Sequence, residues 1–204
     1  MTAPEGLPVN HHADHPGFSG VTGAIVGLVL LWMGRANARL AADVTGVSAG
    51  DRVIDIGCGP GGAAREAARR GASVVGVDPA PVMLRLARTF TRDASTSWVE
   101  GTAENVPLAD GSATVLWSLA TVHHWQNIGR GLSEARRLLS PGGRLLAVER
   151  RTEPGASGLA SHGWTEQQAE SFAAQCRTAG FENVAVGQHG QGRRPVWTVL
   201  ASRR

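Results

Sequence analysis

Lysine and tyrosine are absent from this 204-residue chain, and cysteine occurs only twice. All 20 basic side chains are therefore arginine, set against 17 acidic ones for a net charge of +3. The arginines are dispersed, with small pairs at Arg69-Arg70, Arg136-Arg137, Arg150-Arg151 and Arg193-Arg194. A nucleic-acid surface concentrates positive charge and interleaves aromatics with it, so no nucleic-acid partner is expected. Cys58 and Cys176 lie in unrelated contexts. They form neither a metal-ligand spacing nor a disulfide framework, and a reduced cytoplasm suits them.

Long hydrophobic runs are also missing. The sequence VTGAIVGLVLLWM at residues 21–33 falls short of the roughly 20 apolar residues a membrane span needs. Ala-Asn-Ala at residues 36–38 mimics a cleavage site, but no Lys or Arg precedes the apolar run, so the positive region of a secretion signal is lacking. A buried helix with Ser19 as its N-cap is expected instead. It is a candidate for a cover over the active site or for a homodimer contact. There is no internal repeat and no low-complexity tract. With 42% hydrophobic and 18% charged residues, the chain reads as a soluble globular domain with one sizeable core.

From residue 46 onward the pattern becomes regular. Residues 51–57 (DRVIDIG) form a β-branched run ending in glycine, as a buried strand does. Residues 60–71 (PGGAAREAARRG) read as a helix closed by glycine. Strands are expected at 72–78, 96–101, 112–120 and 143–150. Helices are expected at 79–90, 129–143 and 165–180. The last helix has Thr165 as its cap. Two strands, around 181–189 and 194–202, close the chain. This alternation gives an α/β, Rossmann-like, doubly wound sheet over residues 46–204, preceded by a tail and helical cover at residues 1–45. Ligands of such sheets lie beyond the carboxyl ends of the strands. The chemistry is therefore sought just after Gly57, Asp78, Gly101 and Ser118.

The glycine loop VIDIGCGPGG is the strongest local signal. Gly57, Gly59 and Gly61 alternate, and Gly57, Gly59 and Gly62 also match the dinucleotide fingerprint. That second match leaves a nicotinamide-dependent oxidoreductase, or a cofactor-binding protein without catalysis, as alternatives. Asp78 ends the next strand, where an acid can accept both ribose hydroxyls. Asp55 sits two residues before the loop. A carboxylate there suits a ligand with a positive amino group and gives a pyrophosphate no help. It can equally brace the loop by accepting backbone N–H bonds.

At these residues the chain resembles the class I S-adenosylmethionine-dependent methyltransferases. The resemblance runs from Asp55-Ile56-Gly57-Cys58-Gly59-Pro60-Gly61 through GVDPAPVMLRLAR and EGTAENVPLADGSATVLWS to RRLLSPGGRLL. It implies S-adenosylmethionine as methyl donor, S-adenosylhomocysteine as product, and a seven-stranded sheet whose last strand is antiparallel. It places Asp55, Gly57, Cys58, Gly59, Gly61, Asp78, Pro79, Met83, Thr102, Ala103, Glu104 and Ser118 around the cofactor. Asp78 matches the ribose-binding acid and Met83 the adenine flank. Ala103-Glu104 matches the step at the adenine edge. The family often has Asp where Thr102 stands, so the adenine amino group would be read by Thr102, by Glu104 or by backbone alone. The whole chain, including NHHADHPGFSG and GLASHGW, also looks like actinobacterial methyltransferases, some of which act on methylated mannose sugars. A sugar hydroxyl is thus the first expected acceptor, with a lipid or quinone precursor as the second.

SLATVHHWQN, at residues 118–127, carries the candidate catalytic groups. A hydroxyl is a poor nucleophile until its proton leaves, and a histidine is a suitable base near neutral pH. His123 and His124 cannot both face the acceptor from an extended segment. Three roles are open to the pair: general base, loop-orienting group and metal ligand. The metal role needs further ligands, for which His11, His12, His15 and His162 are candidates. Transfer itself requires no metal, and a magnesium-dependent variant is an alternative. Glu149 could orient a histidine, bind sugar hydroxyls, or pair with Arg150 or Arg151. His162 and Trp164 are candidates for acceptor binding from the loop at residues 150–165. Trp117 and Cys176 read as core.

Overall fold

The computed structural model describes residues 34–156, 162–190 and 195–204. The expected helix over residues 21–33 lies outside the described residues. The first described helix is α1 (Arg35–Thr45), closed by Gly46 in the left-handed conformation at φ 63°. Its buried residues, Ala38, Ala41, Ala42 and Thr45, recur at the spacing of a single helical face.

Seven strands form one sheet in the order β3-β2-β1-β4-β5-β7-β6. These are β1 (Arg52–Ile56), β2 (Ser73–Asp78), β3 (Thr96–Glu100), β4 (Ala113–Leu119), β5 (Leu139–Arg150), β6 (Phe181–His189) and β7 (Val196–Arg203). The first five pair in parallel, and β7 runs antiparallel to both β5 and β6. The expected sheet with an antiparallel last strand is the one observed. The central strands are buried on both faces, which is why β1 and β4 read as near-continuous apolar runs.

Helices α2 (Gly62–Arg69), α3 (Pro81–Phe90), α4 (Ile128–Leu138) and α5 (Glu166–Thr178) complete the fold. Ala41 and Ala42 of α1 and Ala64 and Ala67 of α2 pack with Val53, Val115, Trp117 and Leu146 on one face. Small alanines let these helices lie close to the sheet. On the other face, Leu132, Ala135 and Leu138 of α4 and Ala169, Phe172, Ala173 and Cys176 of α5 cover Ile54, Leu116 and Leu145. Phe172 meets Trp164 with ring centroids 4.9 Å apart. A capping box between Thr165 and Gln168 starts α5. Among the described residues, no helix is long and apolar enough to cross a membrane.

One detail departs from the sequence expectation. α4 stops at Leu138 rather than running into Pro-Gly-Gly. Pro141 disfavours helix at the residue before it and clashes with the preceding turn, so the chain turns extended early and β5 carries a register irregularity. The β3–β4 connection has no helix of its own. It is stapled to α4 instead: Glu134 accepts from the Val106 backbone N–H at 2.9 Å. Arg137 donates to Leu108 O, Val106 O and Asp110 Oδ1 at 2.8, 3.0 and 2.6 Å.

Candidate active site

The glycine loop leaves β1 at the carboxyl edge of the sheet. Gly57, Gly59 and Gly61 all hold positive φ, at 71°, 51° and 82°, a region costly for residues with a Cβ. Two of them also have neighbours that would forbid a side chain. A Cβ on Gly57 would lie 2.5 Å from Thr121 Cγ2, and one on Gly61 would lie 2.5 Å from the Trp98 ring. Trp98 also covers Gly76, a glycine inside β2 whose Cβ would fall on the same ring and on Cys58 Sγ. The tryptophan of β3 thus forms a prop under the loop. An isolated glycine within a strand signals such a close approach, so Gly76 was the clue that could have pointed to Trp98.

Asp78 anchors the loop. Its Oδ2 accepts from Gly59 N and its Oδ1 from Ala80 N, each at 2.9 Å. Each oxygen keeps a second lone pair, so a ribose diol can still donate to it. Burial raises the Asp78 carboxyl above its ordinary value, against those two backbone donors. Asp55, 1% exposed, is more perturbed: burial, then the charge of Asp78, push it up to about 7. A backbone hydrogen bond from Ala64, in the first turn of α2, acts the other way, so the bracing role is present. Its Oδ2 nonetheless has no hydrogen-bond partner among the described residues. A buried carboxylate oxygen left open is the feature an ammonium group satisfies. S-adenosylmethionine, with its amino group and ribose diol, therefore fits this pair of acids. Cys58 is buried beside them, and burial with both acids' charge raises its thiol well above the usual range. Its sulfur packs beside Gly76.

The remaining cofactor candidates are less uniform. Pro79 and Thr102 are exposed at the edge of the site. Thr102 forms a tight backbone bridge with Asn105, and Ala103 beneath it is buried. Met83 is 2% exposed and offers almost no surface to an adenine ring. Ser118 is fully buried, its hydroxyl 2.7 Å from Thr121 Oγ1. It supports Thr121 rather than facing the cleft. Thr121 donates to Ile56 O at 3.0 Å and fills the place beside Gly57; no sequence signal singled it out. Glu104 is engaged with the end of the histidine segment: its Oε1 accepts from Gln126 N and Asn127 N at 2.7 and 3.0 Å.

The histidines occupy a 3₁₀ turn, Val122–His124, not an extended segment. The preceding Ala120 has φ 58°, a strained value for a residue with a Cβ. His123 is 6% exposed and His124 is exposed, with ring centroids 4.0 Å apart. His123 Nδ1 lies 2.9 Å from Glu149 Oε2, and Glu149 Oε1 accepts from Val122 N at 2.8 Å. Glu149 is fully buried on β5. It is thus committed to the histidine turn. An ionised carboxylate can only accept, so Nδ1–H is the donor across this contact, which in the neutral ring makes Nε2 the acceptor.

His162 reaches this turn, its ring centroid 5.7 Å from that of His123. Trp164 does not join it. That side chain is fully buried in the core, and its backbone pairs with Arg150 O and Thr152 N, both at 2.8 Å. Among the described residues, no group of three His, Cys, Asp or Glu side chains is disposed to hold a metal ion. His11, His12 and His15 lie outside the described residues. Trp117 and Cys176 are core, as expected.

Residues 54–147 match the family model of a methyltransferase domain. The chain is 37% identical over 123 residues to a demethylmenaquinone methyltransferase of Tropheryma whipplei, covering 60% of this chain and 52% of that one. It is 30% identical over 186 residues to the 27-O-demethylrifamycin SV methyltransferase of Amycolatopsis mediterranei, covering 82% of this chain and 68% of that one. It therefore spans about half the length of the first relative and two thirds of the second. The fold matches the phosphoethanolamine N-methyltransferase 2 of Haemonchus contortus, solved with phosphomonomethylethanolamine and S-adenosylhomocysteine. That match has a TM-score of 0.74 at 17% identity, over 89% of this chain and 58% of the other.

Proposed function

The chain belongs to the class I S-adenosylmethionine-dependent methyltransferases, and from that premise we propose that it methylates a hydroxyl oxygen of a small acceptor, with His123 as general base. The observation that carries this reading is the buried His123–Glu149 pair, 2.9 Å apart at the carboxyl edge of the sheet. The bound donor supplies an electrophilic methyl group on a sulfonium. Asp55, Asp78 and the glycine loop hold the donor. The acceptor hydroxyl donates to His123 Nε2, which takes the proton as the oxygen attacks. Glu149 keeps the ring in that tautomer and stabilises the imidazolium that forms, as in hydrolase triads. The enclosing residues align oxygen with methyl group and exclude water.

For the acceptor we favour a hydroxyl on a quinol- or polyketide-like small molecule. Similarity to the 27-O-demethylrifamycin SV methyltransferase supports the hydroxyl, as does the turn itself, where His123, His124 and His162 gather their rings. The sugar expectation loses one support, because Glu149 is already taken by Val122 and His123.

The test offers labelled S-adenosylmethionine to a panel of demethylated naphthoquinols, demethylated rifamycins and mannosides. His123→Ala should lower kcat by about a hundredfold to ten-thousandfold and leave S-adenosylhomocysteine affinity unchanged. Glu149→Gln should be nearly as damaging. Its amide can keep the Val122 contact but would donate to Nδ1, forcing the tautomer that cannot accept the acceptor's proton. Transfer at the parental rate by either variant sinks the base assignment. Transfer only to mannosides restores the sugar.

A further inference from the structure

The histidine turn is held from two sides by carboxylates of different origin. Glu149 rises from β5 and takes Val122 N and His123 Nδ1 at the buried end. Glu104 comes from the opposite side, on the connection that follows β3. It takes Gln126 N and Asn127 N at the other end. Between these anchors the turn closes on itself through His124 N to Thr121 O and Trp125 N to Val122 O, at 2.9 and 3.0 Å. Asn127 then caps α4 by accepting from Arg130 N at 2.9 Å. Glu104 thus sits at the N-terminal end of α4, where negative charge is favoured.

The two anchors differ in what they report. Glu149 is fully buried in a central strand and has nowhere to move. Glu104 belongs to the turn closed by the reciprocal backbone bonds of Thr102 and Asn105, both 3.2 Å. That turn lies past the end of β3, and β3 pairs with the strand that ends in Asp78. Residues 102–104 are the segment that the family resemblance sets against a bound adenine.

We infer that Glu104 is a positioning residue that ties the cofactor-binding turn to the histidine turn, so that donor binding sets the place of His123. This rests on the methyltransferase reading above. It assigns Glu104 to the acceptor side of the reaction and not to recognition of adenine. The carboxylate accepts two successive backbone N–H groups, a task an amide oxygen can perform and a methyl group cannot.

The experiment compares the full chain with Glu104→Ala and Glu104→Gln by hydrogen exchange across residues 119–130, with and without S-adenosylhomocysteine, whose affinity is measured by calorimetry. In the parent chain the ligand should slow exchange of the Gln126 and Asn127 amides. Glu104→Ala should bind the ligand within about threefold of the parent, yet exchange those amides about tenfold faster when loaded. Glu104→Gln should restore the parental protection. Full ligand-induced protection in Glu104→Ala overturns the inference. So does a tenfold loss of ligand affinity in both variants, which would make Glu104 a cofactor contact. If the parent chain does not bind S-adenosylhomocysteine, the methyltransferase reading falls. The ligand-free exchange of parent and variants still reads the clamp separately.

Discussion

Asp55→Asn gives the sharpest test of the cofactor site, because the acid is perturbed in a calculable way. Its carboxyl is pushed from 3.8 up to about 7, by burial first and the Asp78 charge second. A difference of about three units is worth about 4 kcal/mol of preference for the protonated form in the fold. The folded value is the higher one. Asp55 therefore adds stability that is full below pH ~4 and lost as pH rises through ~7, because the native chain binds the extra proton across that window. Between pH 5 and pH 8 the loss is about 3 kcal/mol. Asparagine has the same shape, can still accept from Ala64 N, and does not titrate. For a chain of this length about 3 kcal/mol is roughly 5–10 °C in Tm. The ligand-free parent should therefore lose about 5–10 °C more than Asp55→Asn between those pH values, read by scanning calorimetry. The ligand reverses the ranking. An ammonium beside the open Oδ2 favours the ionised acid, so at pH 8 S-adenosylhomocysteine should bind the parent about 10–100-fold more tightly than the variant. Parallel pH profiles for the two proteins would refute the buried-acid argument. Equal affinities at pH 8 would refute the ammonium contact.

Two further perturbations address the loop and the turn. Gly57→Ala puts a Cβ at φ 71° and 2.5 Å from Thr121 Cγ2. It should cost about 2–5 kcal/mol from backbone strain and overpacking together. Adding Thr121→Gly should recover at least about 1 kcal/mol of that in a double-mutant cycle by urea denaturation; strictly additive costs would show that the two do not collide. Ala120→Gly, at φ 58°, should raise stability by about 0.5–1 kcal/mol. A clear loss of stability would mean the strain is not there.

The strand–helix alternation, the order of the motifs and the glycine loop were legible because each is a local rule. Residues 51–57 need burial on both faces, and Gly57, Gly59 and Gly61 need left-handed backbone. Both requirements are written into residue type. Asp55 and Asp78 were legible for the same reason, since one is the penultimate and the other the last residue of a strand beside the loop. The end of α4 was misplaced by a few residues because Pro141 acts on the chain before it, while its Gly-Gly partner drew the boundary later.

The sequence by itself determined the sheet, the glycine loop and its two acids, and the placing of His123 and His124 just beyond β4. Only the tertiary structure decided what each polar group faces. Ser118 and Met83 turn inward, and Trp164 sinks into the core, because neighbouring elements close over them. Trp98 and Thr121 become parts of the site because strands far apart in sequence place them against glycines. Glu149 and Glu104 meet the same turn from positions 26 and 22 residues away from the groups they bind. A carboxylate's partner is set by register and packing across the sheet, which spacing along the chain does not encode.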